Sequence, residues 1–220
     1  REVVSGVIRD VRARGDAALI ELTERFDGAK LTPETLRVPQ AALVAAWDAA
    51  SPELQTALNA SHHNVFDFAT KSLRQNWSGL NQQGAEVGEV YHPFERVGCY
   101  VPGGSAPLVS TAMMTVTLAA AAGVPEIVVC TPCGRDGQVN PGLLAALKRA
   151  GATEVYQIGG AQAIAAMAYG TETIKPVTKI FGPGNSFVVE AKRQVFGTVA
   201  IDSLPGPSEI MVLCDDTANA

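Results

Sequence analysis

The sequence has little of several features that would each indicate a particular class of protein. Four cysteines in 220 residues are too few for a small disulfide-stabilised scaffold. Aromatic residues make up 6% of the chain, and the 17 basic residues are outnumbered by 22 acidic ones. The net charge of −5 argues against nonspecific binding to nucleic acids or anionic membranes, because both need basic surfaces.

Long apolar runs are missing as well. The longest candidate, residues 113–123, is rich in alanine, contains threonines and is far shorter than the roughly 20 residues that span a bilayer. The chain starts without a basic leader followed by an apolar segment, so we expect a cytoplasmic protein with reduced thiols. Because it begins with Arg1 and stops directly after an apolar run, we also expect it to be part of a longer protein.

The sequence lacks the spacings that create a self-contained metal site. His62 and His63 are neighbours in a predicted helix, where their side chains point about 100° apart. His92 stands alone before a proline. Cys130 and Cys133 have the C-x-x-C spacing of a redox pair or of half a zinc site, but a second pair is absent. We interpret Cys130 as a buried residue that ends a strand and Cys133 as a loop residue.

The residues up to about 76 are predicted to be mostly helical. Apolar side chains recur at helical spacing in two segments, with Gly15 and Gly28 as the expected ends. A third helix is predicted over residues 39–50. Ser51-Pro52-Glu53 then supplies a capping hydroxyl, a proline in the first turn and an acid near the positive helix end. These residues predict a helix that could continue to Trp77.

Short strands are predicted around these helices. Residues 36–38 are one candidate, and residues 85–90 alternate between apolar and polar side chains as a second strand would. Residues 78–84 are predicted as a turn because glycine and amide side chains dominate them.

From Val97 onward, strand patterns alternate regularly with helix patterns. The predicted strands are residues 98–101, 126–130, 154–158, 179–181 and 199–201. The predicted helices between them are residues 108–122, 141–150, 161–168 and 186–196. This alternation predicts an α/β fold with a parallel sheet and right-handed crossovers. The strands are short and apolar, as expected when helices cover both faces of the sheet.

Glycine-rich turns follow three of these strands. They are Pro102-Gly103-Gly104-Ser105, Gly159-Gly160-Ala161-Gln162 and Gly182-Pro183-Gly184-Asn185. Each turn comes after the carboxyl end of a strand and before a helix, where open α/β sheets bind ligands. The following helix N-termini offer N–H groups to an anion. The G-x-G-x-x-G fingerprint is absent, and no acid follows about twenty residues later to bind a ribose. These residues alone therefore predict a ligand crevice of unspecified chemistry.

Several polar residues near these turns leave two interpretations open. Glu190, Lys192 and Arg193 could be functional, although the pattern favours a solvated helix face. Asp202 and Glu209 could bind a ligand or only fix a loop. Ser208 has neither a His/Asp partner nor a G-x-S-x-G context, so we do not predict a nucleophilic serine.

Several long motifs resemble the histidinol dehydrogenase family in both order and spacing. They are Glu95-Arg96-Val97-Gly98-Cys99-Tyr100-Val101-Pro102-Gly103-Gly104, Gly159-Gly160-Ala161-Gln162-Ala163-Ile164-Ala165, Lys179-Ile180-Phe181-Gly182-Pro183-Gly184-Asn185, Ala191-Lys192-Arg193-Gln194-Val195, and Ile201-Asp202 followed by Gly206-Pro207-Ser208-Glu209. The Gly15-Asp16-Ala17-Ala18-Leu19 segment fits too, so the likeness covers nearly the whole chain. Cys133 and the His92-Pro93-Phe94 segment depart from the family pattern.

The resemblance implies NAD-dependent oxidation of L-histidinol to L-histidine through L-histidinal, at the end of histidine biosynthesis. It implies a zinc-containing cytoplasmic homodimer with two incomplete Rossmann-like domains. The family's NAD contacts fall on Tyr100, Gln162 and Asn185, and its substrate-binding serine falls on Ser208. The zinc ligands and the Glu-His acid/base pair are expected beyond Ala220. We therefore predict no catalytic or metal-binding residue within this chain, and no turnover by the chain alone.

The domain division follows from the strand pattern. We predict an inserted Rossmann-like NAD-side domain over residues 97–207. Residues 1–96, which are mostly helical, and residues 208–220, with a strand after Ser208, would belong to a second, truncated α/β domain with exposed apolar surface. Two alternatives stay open: a family relative that oxidises another polar alcohol, such as a sulfonated diol, and a non-catalytic nucleotide-binding or dimerisation module.

Overall fold

The computed structural model describes residues 1–103, 108–206 and 209–218. Its helices are α1 Glu2–Arg14, α2 Asp16–Asp27, α3 Pro33–Leu36, α4 Gln40–Asp48, α5 Pro52–Lys71, α6 Val109–Ala121, α7 Pro141–Ala150, α8 Gly160–Tyr169 and α9 Ser186–Val195. Its strands are β1 Arg37–Val38, β2 Trp77–Leu80, β3 Glu86–Glu89, β4 Arg96–Tyr100, β5 Glu126–Cys130, β6 Glu154–Tyr156, β7 Lys179–Phe181 and β8 Ala200–Ile201.

A six-stranded sheet forms the centre of the fold, in the order β1-β6-β5-β4-β7-β8. The five strands from β4 onward are parallel to their neighbours, with Val97 of β4 opposite Ile127 on one side and Lys179 on the other. β1 is antiparallel to β6 at one edge. The predicted α/β class, with a parallel Rossmann-like sheet, is therefore confirmed.

Helices cover both faces of this sheet, which explains why its central strands are mostly apolar after their first residue. On one face, a core built around α1, α2, α8 and α9 includes Leu19, Ile164 and Ile180. On the other face, α4, α6 and α7 enclose a second core that includes Met113 and Leu147. The N-terminal helices pack mainly on the helices of the β-α units: α1 on α8 and α9, α4 on α7, and α5 on α6.

Local signals position most helix ends as the sequence predicts. The Ser51 hydroxyl accepts a hydrogen bond from the Leu54 N–H at 3.2 Å, with Pro52 in the first turn, so the start of α5 is confirmed. α1 and α2 end at the predicted glycines, Gly15 and Gly28. α7 covers residues 141–150 as predicted.

The segment after α5 differs from the prediction. α5 ends at Lys71 rather than reaching Trp77. Trp77 begins β2, which pairs antiparallel with β3, and the indole N–H of Trp77 donates to Glu89 at 2.9 Å. The turn predicted over residues 78–84 is therefore shorter than expected, because residues 78–80 take their backbone hydrogen bonds from a partner strand.

The C-terminal segment contains no helix or strand within the described residues 209–218. The strand expected after Ser208 is therefore wrong for this part, since a strand needs a neighbour to complete its hydrogen bonds. Its apolar side chains are exposed, Ile210 by 90% and Leu213 by 89%. The division into residues 97–207 and residues 1–96 plus 208–220 stays a prediction. None of the helices in the described ranges is long and apolar enough to cross a membrane.

Candidate functional site

The candidate site lies at the carboxyl edge of the parallel strands. β4 and β7 are neighbours in the sheet, although β4 is followed in sequence by β5 on its other side. This is a switch point in strand order, where the loops after the two strands diverge and open a crevice. Gly182, after β7, has a φ of +116°, and a Cβ there would collide with the carbonyl oxygen of Tyr100. The close approach of these two loops therefore requires glycine.

The loops that follow β4, β5 and β6 meet at Pro132. A Cβ placed on Gly103 would lie 2.5 Å from Pro132 Cγ, and one placed on Gly159 would lie 2.7 Å from Pro132 Cβ. The glycine-rich turns at Gly103, Gly159 and Gly182 share one rim, as expected for loops at the carboxyl ends of parallel strands. Gly104 and Ser105 of the first turn lie outside the described residues.

These loops border a cleft of about 1080 Å³. Tyr100, Gln162 and Asn185, which the family resemblance suggested as cofactor contacts, all line it. They come from the end of β4, the first turn of α8 and the residue before α9. Ser208, the suggested substrate contact, lies outside the described residues. Three residues far apart in sequence thus meet in one cavity, and their contact with a cofactor stays a prediction.

Tyr100 links the end of β4 to the start of α8. Its hydroxyl accepts a hydrogen bond from the Gly160 N–H at 3.0 Å, and the side chain is buried. Burial raises the pKa of Tyr100, and the nearby Asp27 carboxylate also acts in that direction. The phenol therefore stays protonated, which leaves its O–H available to donate one hydrogen bond.

Asn185 is the N-cap of α9. Its Oδ1 accepts hydrogen bonds from the N–H groups of Phe187 at 3.0 Å and Val188 at 3.1 Å. These two N–H groups, which were predicted to be available to a ligand anion, are therefore occupied by Asn185. Its amide N–H₂ is the part of the side chain left to donate to a molecule in the cleft.

Gln162 lies in the first turn of α8 and is 2% exposed. A buried glutamine is costly unless its amide finds partners, and the hydrogen bonds between described residues include none from its side chain. Because it also lines the cleft, this amide can both donate to and accept from a ligand without adding charge.

The structure shows the positions of Lys192 and Asp202, whose roles the sequence left open. Lys192 is 2% exposed, so the solvated position that the pattern favoured is wrong. Its ammonium pairs with Asp202 and donates to the carbonyl oxygen of Gly182 at 2.7 Å. Asp202 in turn accepts from the Gly182 N–H at 2.8 Å. The two residues therefore fix the loop after β7, whereas Glu190 and Arg193 pair with each other on the exposed side of α9.

The cysteines do not form a redox pair. Cys99, Cys130 and Cys133 are all free thiols, and the first two are fully buried. Burial raises the pKa of Cys130 and raises that of Cys133 to about 11. A reactive thiol needs a lowered pKa, so the interpretation of Cys130 as a buried strand residue and Cys133 as a loop residue is supported.

Sequence reasoning missed two polar residues in the cleft wall. Asp27 is the last residue of α2, and its Oδ2 is buried without a hydrogen-bond partner among the described residues. Thr131, directly after β5, is fully buried and its hydroxyl is likewise unpartnered there. The only sequence signal for either residue was that Asp27 is an acid at the negative, C-terminal end of a helix.

A metal centre is not formed by the described ranges of the chain. No group of three or more histidine, cysteine, aspartate or glutamate side chains lies close enough together there to hold a metal ion. His62 and His63 lie on α5, where His62 stacks on Phe66 with ring centroids 5.5 Å apart.

Known proteins match the chain along its whole length. The family model described as histidinol dehydrogenase matches residues 1–220. The chain belongs to the histidinol dehydrogenase family. Histidinol dehydrogenase from Geobacillus kaustophilus is 48% identical over 218 residues, which cover 99% of this chain and 51% of that protein. The enzyme from Deinococcus radiodurans is 50% identical over 218 residues, covering 99% of this chain and 49% of that one.

A solved structure of a histidinol dehydrogenase agrees with the fold. Histidinol dehydrogenase from Elizabethkingia anophelis superposes with a TM-score of 0.91 at 39% identity, covering 99% of this chain and 50% of that one. The family resemblance predicted from the motifs is therefore confirmed. The chain spans about half the length of the histidinol dehydrogenases it matches.

Proposed function

We propose that the chain supplies the NAD-binding cleft of a histidinol dehydrogenase that oxidises L-histidinol to L-histidine through L-histidinal, in the last steps of histidine biosynthesis. The single observation that carries this proposal is the meeting of Tyr100, Gln162 and Asn185 in one cleft. The cleft lies at the switch point of a parallel sheet, where dinucleotides bind in this type of fold. Its volume of about 1080 Å³ is slightly above the usual range of roughly 300 to 1,000 Å³ for cofactor sites, so it has room for a dinucleotide.

The residues of the cleft suit a dinucleotide. NAD would accept one hydride from the alcohol carbon, which gives the aldehyde, and a second NAD would accept one from the hydrated aldehyde, which gives the acid. Tyr100 holds the start of α8 in place through Gly160 and retains one O–H donor. Gln162 and Asn185 offer neutral amides that can bind ribose, amide or phosphate oxygens without repelling the pyrophosphate. Lys192 and Asp202 keep the Gly182 loop close to β4 and so preserve the shape of the cleft.

We propose that the zinc ligands lie outside the described residues of this chain. Among the described residues, no group of three or more histidine, cysteine, aspartate or glutamate side chains could hold the metal. We propose that a protein as long as these relatives also carries zinc and the acid/base pair. We further propose that it is a homodimer in the cytoplasm. Ser208 is proposed to contact the substrate there.

The activity is tested by extending the chain to the length of its relatives and following NAD reduction with histidinol. We expect turnover by the extended protein and none by the 220-residue chain. A panel of other polar alcohols, including a sulfonated diol, separates the main proposal from a relative with another substrate. Robust histidinol oxidation by the 220-residue chain would contradict the proposal that the zinc ligands and the acid/base pair lie outside it. Binding of NAD without turnover of any alcohol by the extended protein would favour the non-catalytic module.

A further inference from the structure

The buried face of α9 carries a charge that helix packing does not explain. The residues that α9 buries are Val188, Ala191, Lys192 and Val195, and Lys192 is the charged one. Removing an ammonium from water is costly, and apolar side chains in place of a buried ion pair are often neutral or stabilising. A methionine would fill the same space as Lys192. The charge therefore serves something other than the packing of α9.

Lys192 and Asp202 hold two loops together at their first residues. Gly182 follows β7, and Asp202 follows β8. Lys192 donates to the Gly182 carbonyl oxygen at 2.7 Å and pairs with Asp202. Asp202 accepts from the Gly182 N–H at 2.8 Å and from the Ser203 N–H at 2.7 Å. Both backbone polar groups of Gly182 are thus fixed by this pair, and so is the start of the loop after β8.

The two loops border different cavities. The loop after β7 ends at Asn185, which lines the cleft proposed to bind NAD. Gly182, Pro183 and Asp202 line a second cavity of about 560 Å³, which shares no lining residue with the cleft in the described part of the chain. The loop after β8 continues in sequence towards Ser208, the proposed substrate contact. The pair therefore joins a loop on the cofactor side to a loop on the substrate side.

Lys192 has no direct access to either ligand space. It lines neither of the two cavities that the described residues form, so it acts only through Gly182 and Asp202. Reacting atoms have to come within roughly 3 to 3.5 Å, and a misplacement of about 1 Å can slow a reaction about a hundredfold. A rigid link between the two loops therefore controls a distance on which hydride transfer depends.

We propose that Lys192 and Asp202 are positioning residues for hydride transfer, because they fix the loop on the cofactor side relative to the loop on the substrate side. This inference rests on the proposed function. The chemical step is the one given there: the alcohol carbon loses a hydride to NAD, and the hydroxyl proton goes to the base proposed to lie outside this chain. The pair changes the distance between the reactants and exchanges no atom with them.

A purely structural role of the pair makes a different prediction. In that case, variants would lose stability, and the part of the protein that stays folded would transfer hydride at the native rate once both ligands are saturating. A positioning role lowers the rate in folded protein with both ligands bound. The rate of transfer at saturation is therefore the deciding measurement.

The experiment uses the protein extended to the length of its relatives. Single-turnover reduction of NAD by histidinol is followed for the native protein and for Lys192→Met, with both ligands saturating. We expect the variant to transfer hydride at least about tenfold more slowly, with nearly unchanged Kd values for NAD and histidinol. Deuterium at the alcohol carbon should slow the reaction of both proteins, which establishes that the observed step is the transfer itself.

Matched variants separate this role from a general loss of charge. Arg193→Met removes the neighbouring charge of α9, which pairs with Glu190 on the exposed side, and should keep the native rate. Lys192→Arg keeps a cation at the buried position and should retain more of the rate than Lys192→Met. Because Lys192 and Asp202 act as one unit, Lys192→Met combined with Asp202→Asn should be no slower than the slower single variant. Independent, multiplying losses would contradict the unit.

The remaining outcomes have distinct meanings. Transfer at the native rate by folded Lys192→Met would show that the positioning role is wrong and would leave the proposed function intact. If Lys192→Met does not fold, Asp202→Asn, which keeps an oxygen for the Gly182 N–H, is judged by the same criterion. If the native extended protein reduces no NAD with histidinol, the proposed function fails and this inference fails with it.

Discussion

The Tyr100 hydroxyl accepts a hydrogen bond from the Gly160 N–H at 3.0 Å, which joins the end of β4 to the first residue of α8. One side chain thereby holds together two of the loops that border the cleft. The contact stabilises this junction, and the same hydroxyl retains a proton that it can donate.

Tyr100→Phe removes the hydroxyl and keeps the aromatic ring. We expect the free energy of unfolding to fall by about 1 to 2 kcal/mol, because a half-buried N–H loses its acceptor. Urea denaturation measures this change. Tyr169→Phe is the control, since the Tyr169 ring packs under Arg12 and its hydroxyl has no partner among the described residues. Equal stability of the native chain and Tyr100→Phe would contradict the role of this hydrogen bond.

Two variants of Asn185 separate its role as the N-cap of α9 from its proposed contact with a ligand in the cleft. Asn185→Asp keeps an oxygen for the Phe187 and Val188 N–H groups, so we expect near-native stability. It replaces the amide donors with negative charge, so NAD binding should weaken by about tenfold or more. Asn185→Ala loses the cap and should cost about 1 kcal/mol of stability. Thermal unfolding and NAD titration of the two variants provide the test, and unchanged NAD affinity in Asn185→Asp would rule out a donor role.

The buried pair of Lys192 and Asp202, which holds the Gly182 loop, is expected to contribute more to folding than the exposed pair of Arg193 and Glu190. Lys192 has a side-chain exposure of 3%, against 28% for Asp202. Asp202→Ala strands the buried ammonium, and we expect a loss of about 3 kcal/mol. Lys192→Met should cost less, because it removes the buried charge itself. Denaturant titrations of the two variants measure the difference, and the exposed pair variant Arg193→Met should change stability by less than about 1 kcal/mol.

Acid should weaken the fold partly through Glu154. Arg96 donates to this carboxylate at 3.0 Å and lowers its pKa to about 2, against an ordinary value of 4.5. Because the folded-state pKa is depressed, the contribution is complete above about pH 4.5 and disappears as the pH falls towards 2. Allowing for solvent screening, it amounts to about 1 to 2 kcal/mol.

Glu154→Gln should therefore flatten the acid side of the stability profile. Denaturation followed from about pH 6 down to about pH 2.5 measures the slope. Glu86→Gln, on the exposed β3 strand, should retain the native profile. A Glu154→Gln variant that loses stability with acid as steeply as the native chain would show that another carboxylate dominates.

The sequence predicts the sheet well because each β-α unit carries its own pattern. β5, β7 and α7 have the predicted bounds, since short apolar strands and helix signals are local. The cleft follows from the same logic, because carboxyl ends of parallel strands meet at one edge. The shared edge of the strands therefore suffices to predict that Tyr100, Gln162 and Asn185 lie close together.

Residues whose role depends on distant partners could not be predicted in this way. Lys192 belongs to an amphipathic helix, and only the position of Asp202 after β8 explains its burial. Asp27 reaches the cleft because α2 packs against α1 and α8, which no local pattern indicates. Trp77 extends a helical pattern in sequence but pairs with Glu89 across a hairpin.

The central claim is that this cleft binds NAD, and equilibrium titration of the chain with NAD tests it most directly. Native chain and Gln194→Ala, a change on the far side of α9 that leaves the cleft wall intact, should bind with the same Kd. Gln162→Ala should raise the Kd by about tenfold, because a buried amide loses its ligand contacts. An identical Kd for the native chain and Gln162→Ala, or no binding by the native chain, would contradict the account.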